Sequence, residues 1–553
     1  MGAHPARVAW GVVAVASVVG AVARIWHLNA LGLNADEAVY SGQGASIAAN
    51  DGLEPFFRIF RAHPLLFQTL VSLAWRAHFG ATAGRWLAVG FGLGTVVLTF
   101  LLGRLLYGRR TGVVAAAFLL AMPYHVVVSR QILLDVPMAF FATGALYCVA
   151  RFVRDSAERW LYAGAAVLGL AFLSKESAML LVGGVYVFFV ISSDTRVRLR
   201  QLLIAGGVLA SMAAAFPLAL TLSGGGHTGR NYLAWQLLRR PNHSWLFYLT
   251  EVPHAMGPLL VAAALAALVL LRHERTWRER LLGCWIAVPL LLFELWPVKG
   301  FQYLLPLAPT VAVLGARSVV RVPELFGTQV ARWAAPAGAA VVCLTLAVPT
   351  WGRIQPPTTR TLAGAGGVPG GRDTGRWLAA NTSPGSTFFT IGPSMANILE
   401  FYGRRDGFGL SVSPNPLARN PSYVPVRNPD LLLRRGVVRY LVWDAFSAQR
   451  SRYFSRRLLR YVDRYNARIV HVATVPGDSG TGAAPVVVVY RVPFSATVPS
   501  DRPLPKLPAT PGESLTQRHR QMVVIYTLYA LAAAATALLV AAALAGRRRE
   551  ATA

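Results

Sequence analysis

The chain has 553 residues, of which 54% are hydrophobic and only 14% are charged, and its mean hydropathy is +0.46. Soluble proteins of this length carry more charge, so the composition excludes an ordinary soluble class and indicates an integral membrane protein. The formal net charge is +30, because 54 Lys and Arg oppose 24 Asp and Glu. Since the arginines lie between apolar runs and in one polar block, contact with anionic lipid explains much of this charge, and we expect no nucleic-acid partner.

Apolar runs long enough to cross a bilayer, about 17–25 residues, recur along the chain. The first follows Arg7 and lacks a clear cleavage site, so we expect a retained helix rather than a signal peptide. We predict about twelve spans, near 8–27, 84–105, 111–128, 135–153, 160–174, 177–193, 201–221, 256–271, 281–296, 303–317, 330–350 and 521–545.

Arginine-dense segments between these runs predict the orientation, because positive loops stay in the cytoplasm. The segments are RLLYGRR (104–110), RFVRDSAER (151–159), DTRVRLR (194–200), RHERTWRER (272–280), RSVVR (317–321) and RRRE (547–550). With both ends inside, the number of spans is even, which agrees with twelve. The Arg-heavy, Ala- and Gly-rich composition is typical of a GC-rich bacterial genome, so we expect a multi-pass protein of the plasma membrane.

The block 351–520 is richer in Pro, Gly and Asn and alternates helical stretches with short β-branched runs, which is typical of a soluble α/β domain. We predict strands at 386–392, 437–444, 467–475 and 484–492 and an amphipathic helix at 456–466. The chain then divides into a transmembrane domain at 1–350, an extracytoplasmic α/β domain at 351–520, and a last membrane helix with a basic cytoplasmic tail at 521–553.

The three cysteines lie in apolar segments and have no metal-ligand spacing such as CxxC. We interpret them as small buried hydrophobic residues. They are Cys148, Cys284 and Cys343.

Ionisable residues recur in the loops that the charge pattern places outside the membrane. A charge at the bilayer edge costs free energy unless it is partnered, so each is a candidate functional group. These residues are Asp36, Glu37, His63, Arg130, Asp135, Lys175, Glu176, His227, Arg230, Lys299, Gln302 and Tyr303. Six separate loops contribute, as a membrane-embedded active site requires.

Each candidate also has a structural alternative. Asp36 and Asp135 could cap helices, and Asp135 could pair with Arg130. Lys175 and Glu176 could form a surface ion pair. His63 could be an interface residue whose hydrogen bonds are satisfied. Tyr303 could be an aromatic anchor at the membrane border.

Four stretches, in chain order, resemble glycosyltransferase families 39 and 83. These are GT-C-fold transferases that include protein O-mannosyltransferases and the lipid A aminoarabinose transferase. The stretches are LNADEAVY (33–40) with HPLL (63–66), LLYGRRTGVVAAAFLLAMPYHVVVSRQILLDVPMAFF (105–141), LGLAFLSKESAMLLV (168–182) and GFQYLLPLAPTVAVLGA (300–316). The resemblance spans 1–350, and the block 351–520 resembles the extracytoplasmic domains of bacterial members only loosely.

This resemblance implies a polyprenyl-phosphate-linked sugar as donor and inverting transfer at the extracytoplasmic face. The first-loop acidic motif matches Asp36 and Glu37, which implies catalysis and acceptor contact, and the acid after the third span matches Asp135. His63 stands where lipid-A-modifying members have lysine before proline. The donor-binding set that we predict comprises His63, Arg130, Lys175, Glu176, Arg230, Lys299, Gln302 and Tyr303.

The chemistry fits these residue types. An acceptor hydroxyl needs a base, for which the Asp36 carboxylate can serve, and a leaving phosphate needs cations. A divalent cation between Asp36, Asp135 and the phosphate is compatible with the sequence but not required.

Two other functional classes remain open at this stage. A transporter or flippase for an envelope lipid would need acids inside its spans, and Glu294 is the main candidate. A non-catalytic assembly factor would use the basic outer domain to bind a polymer and would tolerate loss of Asp36. For a transferase, the acceptor class stays open between a glycolipid, a cell-wall polymer and a protein.

Overall fold

A computed structural model of the chain shows a helical bundle followed by a small α/β unit. It describes residues 3–50, 52–59, 63–192, 195, 197–222, 226–238, 241–355, 367–476 and 483–493, with scattered positions from 522 to 534. The helices of the first part are α1 (Ala3–Ile25), α2 (Ala35–Ile47), α3 (Leu66–Arg76), α4 (Ala83–Tyr107), α5 (Arg109–Ala121), α6 (Pro123–Val128), α7 (Asp135–Asp155), α8 (Glu158–Ser174), α9 (Met179–Ile191), α10 (Leu199–Leu222), α11 (Gly226–Leu238), α12 (Phe247–Met256), α13 (Pro258–Leu270), α14 (Trp277–Leu295), α15 (Ala308–Arg321) and α16 (Thr328–Ile354).

Eleven of the twelve predicted spans coincide with described helices, and most of the twelfth, 521–545, lies outside the described residues. Within those residues, six helices are long and apolar enough to cross a membrane, and a seventh results if α12 and α13, bent by 103°, count as one span. Helices such as α5 and α9, with 13 residues each, reach only about 20 Å. The protein is therefore a multi-pass membrane protein, and the total of twelve spans stays a prediction.

The turn between α4 and α5 shows how small residues set the packing of the bundle. Gly108 has φ +93°, a conformation that favours glycine, and it allows the chain to reverse between the two helices. A Cβ on Gly112 would lie only 2.7 Å from the backbone oxygen of Phe100. Glycine at this position therefore lets α5 pack closely along α4.

The centre of the bundle is formed by α7 and α15, whose residues are mostly buried. The predicted interpretation of the cysteines is confirmed, because all three are buried and carry free thiols. Proline and small residues dominate the start of α15, so neighbouring helices approach it closely.

The second part of the chain folds around a five-stranded mixed sheet with the order β2-β1-β3-β5-β4. Its strands are β1 (Thr387–Thr390), β2 (Asp406–Gly409), β3 (Tyr440–Asp444), β4 (Arg468–Pro476) and β5 (Ala483–Arg491). β1 runs parallel to β2 and β3, and β5 runs antiparallel to β3 and β4. Its helices are α17 (Gly371–Asn381), α18 (Pro393–Gly403), α19 (Pro429–Arg434), α20 (Ala445–Arg450) and α21 (Arg452–Arg464).

The four predicted strands and the amphipathic helix of this part are confirmed by β1, β3, β4, β5 and α21. Strand β2 was not predicted, because its sequence DGFG contains no β-branched residue and reads as a turn. The parallel pairing of β2 with β1 supplies the stabilisation that its own sequence lacks.

The α/β unit packs on the segment between α1 and α2. The hydroxyl of Tyr402 accepts a hydrogen bond of 2.9 Å from the Leu33 N–H, and Arg372 donates one of 2.8 Å to the Asn29 carbonyl. The ring of Phe401 lies 6.0 Å from that of Phe57. These contacts fix the segment that leads into α2.

Candidate active site

Helix α2 begins with a capping box. The Asn34 side chain accepts a hydrogen bond of 2.9 Å from the Glu37 N–H, and the Glu37 carboxylate accepts one of 2.9 Å from the Asn34 N–H. Asp36 is therefore not the cap, and that structural alternative is wrong. Asp36 lies in the first helical turn and is exposed, and it makes no hydrogen bond or ion pair with the described residues.

The neighbouring Glu37 has a different setting. Its carboxylate pairs with the Arg85 guanidinium of α4 at 2.6 and 2.7 Å, and both side chains are fully buried. The Ile132 N–H also donates to Glu37 at 3.0 Å. Glu37 thus ties α2 to α4 and to the segment that precedes Asp135, and its carboxylate is buried whereas Asp36 is exposed.

Asp135, at the start of α7, binds Lys175, which follows α8. The Lys175 Nζ lies 2.7 and 2.9 Å from the two carboxylate oxygens, and the pair is buried. The same ammonium lies 4.3 Å from the centre of the Tyr303 ring. Asp135 therefore pairs with Lys175 and not with Arg130, and Lys175 does not form the surface ion pair with Glu176 that the sequence allowed.

His63 and Glu176 form a second pair at the same end of the bundle. The His63 Nδ1 lies 2.9 Å from the Glu176 carboxylate oxygens. The Tyr232 hydroxyl lies 3.4 Å from the His63 Nε2, and the Tyr40 ring meets the imidazole edge to face at 6.1 Å. These contacts fix the orientation of the His63 ring.

The electrostatic setting of Asp36 suits a proton acceptor. Burial by the surrounding protein raises the pKa of the Asp36 carboxyl, and the charges of Lys175, His63 and Arg450 oppose that rise. A carboxylate with a raised pKa is a stronger base than one in water.

Two residues of this site, and a third whose charge acts on Asp36, were missed from the sequence. Tyr40 follows Asp36 by one helical turn, and that spacing could have identified it. Tyr232 lies on α11, in the loop where the sequence had instead suggested His227 and Arg230. Arg450, on α20 of the α/β unit, carried no signal, because only the docking of that unit brings its charge near Asp36.

Four members of the predicted donor-binding set are not shown to join the cluster. Arg130 donates to the backbone carbonyls of Ala23 and Trp26 at the end of α1. Lys299 binds Glu294 at 2.9 Å and faces the Tyr248 ring. The other two are Gln302, for which no polar partner is described, and Arg230, whose side chain lies outside the described residues.

The side chains of this cluster are not arranged as ligands for a divalent cation. Among the residues that the structure describes, no group of three or more His, Cys, Asp or Glu side chains is arranged to hold one. Asp135 is bound to Lys175 and Glu176 to His63, so Asp36 is the carboxylate of this cluster that lacks a cationic partner at bonding distance. We derive no step through a metal.

The cluster described above is named the Asp36 site. It comprises Asp36, Tyr40, His63, Asp135, Lys175, Glu176, Tyr232 and Tyr303.

Comparison with known proteins agrees with this architecture. Residues 62–220 match the family described as dolichyl-phosphate-mannose-protein mannosyltransferase. The structure of ArnT from Cupriavidus metallidurans bound to undecaprenyl phosphate superposes with a TM-score of 0.60 at 16% identity, over 88% of this chain and 98% of that chain. The Archaeoglobus fulgidus oligosaccharyltransferase tethered with an acceptor peptide gives 0.51 at 14% identity, over 86% of this chain and 74% of that chain. No curated protein matches the sequence.

These matches define the class of fold. The chain is a membrane protein of the GT-C fold with a mixed α/β unit after its helical bundle, and the resemblance stated from the four sequence stretches is confirmed. The matched family region contains His63, Asp135, Lys175 and Glu176, so half of the Asp36 site lies on the segment that carries the family signal.

Proposed function

We propose that this protein is a glycosyltransferase that moves a sugar from a polyprenyl-phosphate-linked donor to an acceptor hydroxyl at the extracytoplasmic face of the plasma membrane. One observation carries the proposal: Asp36 is exposed with no partner at bonding distance among the described residues, while Asp135 is bound to Lys175 and Glu176 to His63. A single unpartnered carboxylate among fixed charges is the arrangement that a general base needs.

The transfer is a single displacement with inversion. The acceptor oxygen forms a bond to the anomeric carbon, the bond from that carbon to the phosphate oxygen breaks, and Asp36 takes the hydroxyl proton. The leaving polyprenyl phosphate gains negative charge, which Lys175, His63 and Arg450 stabilise from fixed positions. Asp135 and Glu176 hold Lys175 and His63 in place.

The relatives support the donor class. The matched family is described by a dolichyl-phosphate mannose donor, and the ArnT structure was solved with undecaprenyl phosphate. Both molecules are long-chain lipid phosphates, and a site at the end of the membrane helices suits them because the chain stays in the bilayer. Mannose is the first sugar to test, and the acceptor is a protein, a glycolipid or a cell-wall polymer.

The transporter alternative is less well supported. Glu294, the acid on which it depended, lies 2.9 Å from Lys299 and is therefore partnered. The assembly-factor alternative remains as an outcome of the experiment below.

The proposal is tested by reconstituting the purified full chain in liposomes with radiolabelled polyprenyl-phosphate mannose and solubilised envelope material. We expect label to move to an envelope product in wild-type liposomes and not in protein-free liposomes, and the product then identifies the acceptor class. Other lipid-linked sugars are tested in the same way. Absence of transfer from all of them would favour the assembly factor.

Arg450→Gln is expected to move the acidic limb of the transfer rate to higher pH. The base must be deprotonated, so the rate rises with pH through the pKa of Asp36, which burial already raises. Arg450 opposes that rise, and its removal leaves the pKa higher still. The measurement is the pH dependence of transfer.

Arg460→Gln is the matched control, because Arg460 is an exposed arginine of α21 that does not act on Asp36. An unchanged limb in Arg450→Gln, or an equal displacement in Arg460→Gln, would show that Arg450 does not act on the base.

A further inference from the structure

A second cluster of charged side chains surrounds a cavity at the end of α4 that is distant from Asp36. Helix α4 has 25 residues, so its two ends are about 37 Å apart. Arg85, the partner of Glu37, lies near its first residue, and the cavity opens beside its last. The cavity has a volume of about 490 Å³, within the usual range of about 300–1,000 Å³ for ligand sites.

We name this space the basic cavity. Its walls come from three arginine-rich segments, 104–110, 272–280 and 317–321, which are distant in sequence and converge here. The charged residues that line it are Arg109, Arg110, Glu274, Arg278, Arg317, Arg321 and Glu324.

The acids of this region are all engaged. Arg321 pairs with Glu274 at 2.8 Å and with Glu324 at 2.7 Å. Arg317 pairs with Glu279, which is buried beneath the cavity. The Arg317–Glu279 pair joins α15 to α14, and the pairs of Arg321 leave no acidic lining residue for the other arginines.

Three arginines of the lining therefore lack an acidic partner among the described residues: Arg109, Arg110 and Arg278. The Nε of Arg278 is buried with no hydrogen-bond partner. Arg109 and Arg110 also stand in the first turn of α5, which has no acidic residue and no side-chain cap. Cations at the positive end of a helix dipole are unfavourable, and the free N–H groups of that turn need an acceptor.

We propose that the basic cavity binds a phosphate group, carried either by the headgroup of an anionic lipid or by a free phosphate. One anion would neutralise the unpaired guanidinium groups and accept hydrogen bonds from the first turn of α5. Arginine suits this task, because its planar donor fork matches phosphate oxygens. The arginines of an ordinary cytoplasmic loop need no cavity, whereas these line one.

The experiment uses the purified full chain in a neutral detergent and a phosphate-free buffer of constant ionic strength. The thermal unfolding midpoint is measured while inorganic phosphate or short-chain phosphatidylglycerol is added. A ligand that binds the folded state raises the midpoint in a saturable way. We expect Arg109→Gln/Arg110→Gln to weaken the apparent affinity about tenfold or more, since two charge-assisted hydrogen bonds are lost.

The matched control is Arg104→Gln/Arg200→Gln, which removes two exposed arginines outside the basic cavity and should retain wild-type affinity. Arg278→Gln is the second variant if the first does not fold. A rise of the unfolding midpoint with both ligands would show that the cavity binds free phosphate. A rise with phosphatidylglycerol alone would show that it binds the lipid headgroup. No rise with either ligand, or equal weakening in the control, overturns the proposal.

Discussion

Asp36→Asn is expected to lower sugar transfer by about 10²–10⁴-fold, the usual contribution of a general base. Asparagine keeps the shape of the side chain but cannot take the proton of the acceptor hydroxyl. The fold should be unaffected, because Asp36 makes no hydrogen bond or ion pair with the described residues. Since burial disfavours the charged carboxylate, the neutral amide should leave the unfolding midpoint equal or slightly higher.

The measurement pairs the transfer rate with the thermal midpoint for the same preparation. Asp373→Asn serves as control, because Asp373 is an exposed aspartate on α17. Wild-type transfer by Asp36→Asn would remove Asp36 as the base and leave the proposed mechanism without a proton acceptor. A large fall in the midpoint would instead assign Asp36 a structural role.

Glu37→Gln is expected to destabilise the protein by about 3–5 kcal/mol, the usual cost of breaking a buried ion pair by removing one partner. The substitution leaves Arg85 buried and charged with no carboxylate, and it weakens the contact with the Ile132 N–H. The free energy of unfolding is measured in detergent. Adding Arg85→Met should restore part of the loss, because no uncompensated charge then remains.

Glu324→Gln is the control for this pair, because Glu324 also binds an arginine but does so at a partly exposed surface, where such pairs are worth about 0–1 kcal/mol. If Glu37→Gln keeps its full stability and loses transfer, then Glu37 acts in catalysis, as the acidic motif predicted. If it loses stability first, Glu37 is a positioning residue for α2.

The helices and the approximate location of the site were predictable from the sequence. Long apolar runs can fold stably in a bilayer only as helices or closed barrels, so their positions follow from composition. Loops between alternate spans lie on one side, and this is why Asp36, His63, Asp135 and Lys175 could be expected together.

The pairing of charges within the site could not be predicted. Asp135 binds Lys175, which is 40 residues away, rather than the nearby Arg130. Glu37 binds Arg85, which lies at the start of the predicted span 84–105. Partner choice depends on how each helix is rotated about its axis, and that rotation is set by packing over the whole bundle rather than by the local pattern.

The contact between Tyr402 and Leu33 has a consequence for how the protein matures. The two residues are 369 positions apart, so the segment leading into α2 receives this partner only after almost three quarters of the chain has been synthesised. The early helices are inserted long before residue 402 has been synthesised. Until then, the segment that leads to Asp36 lacks its contact with Tyr402. The active site is therefore complete only at a late stage of biogenesis, when the α/β unit packs against the segment between α1 and α2.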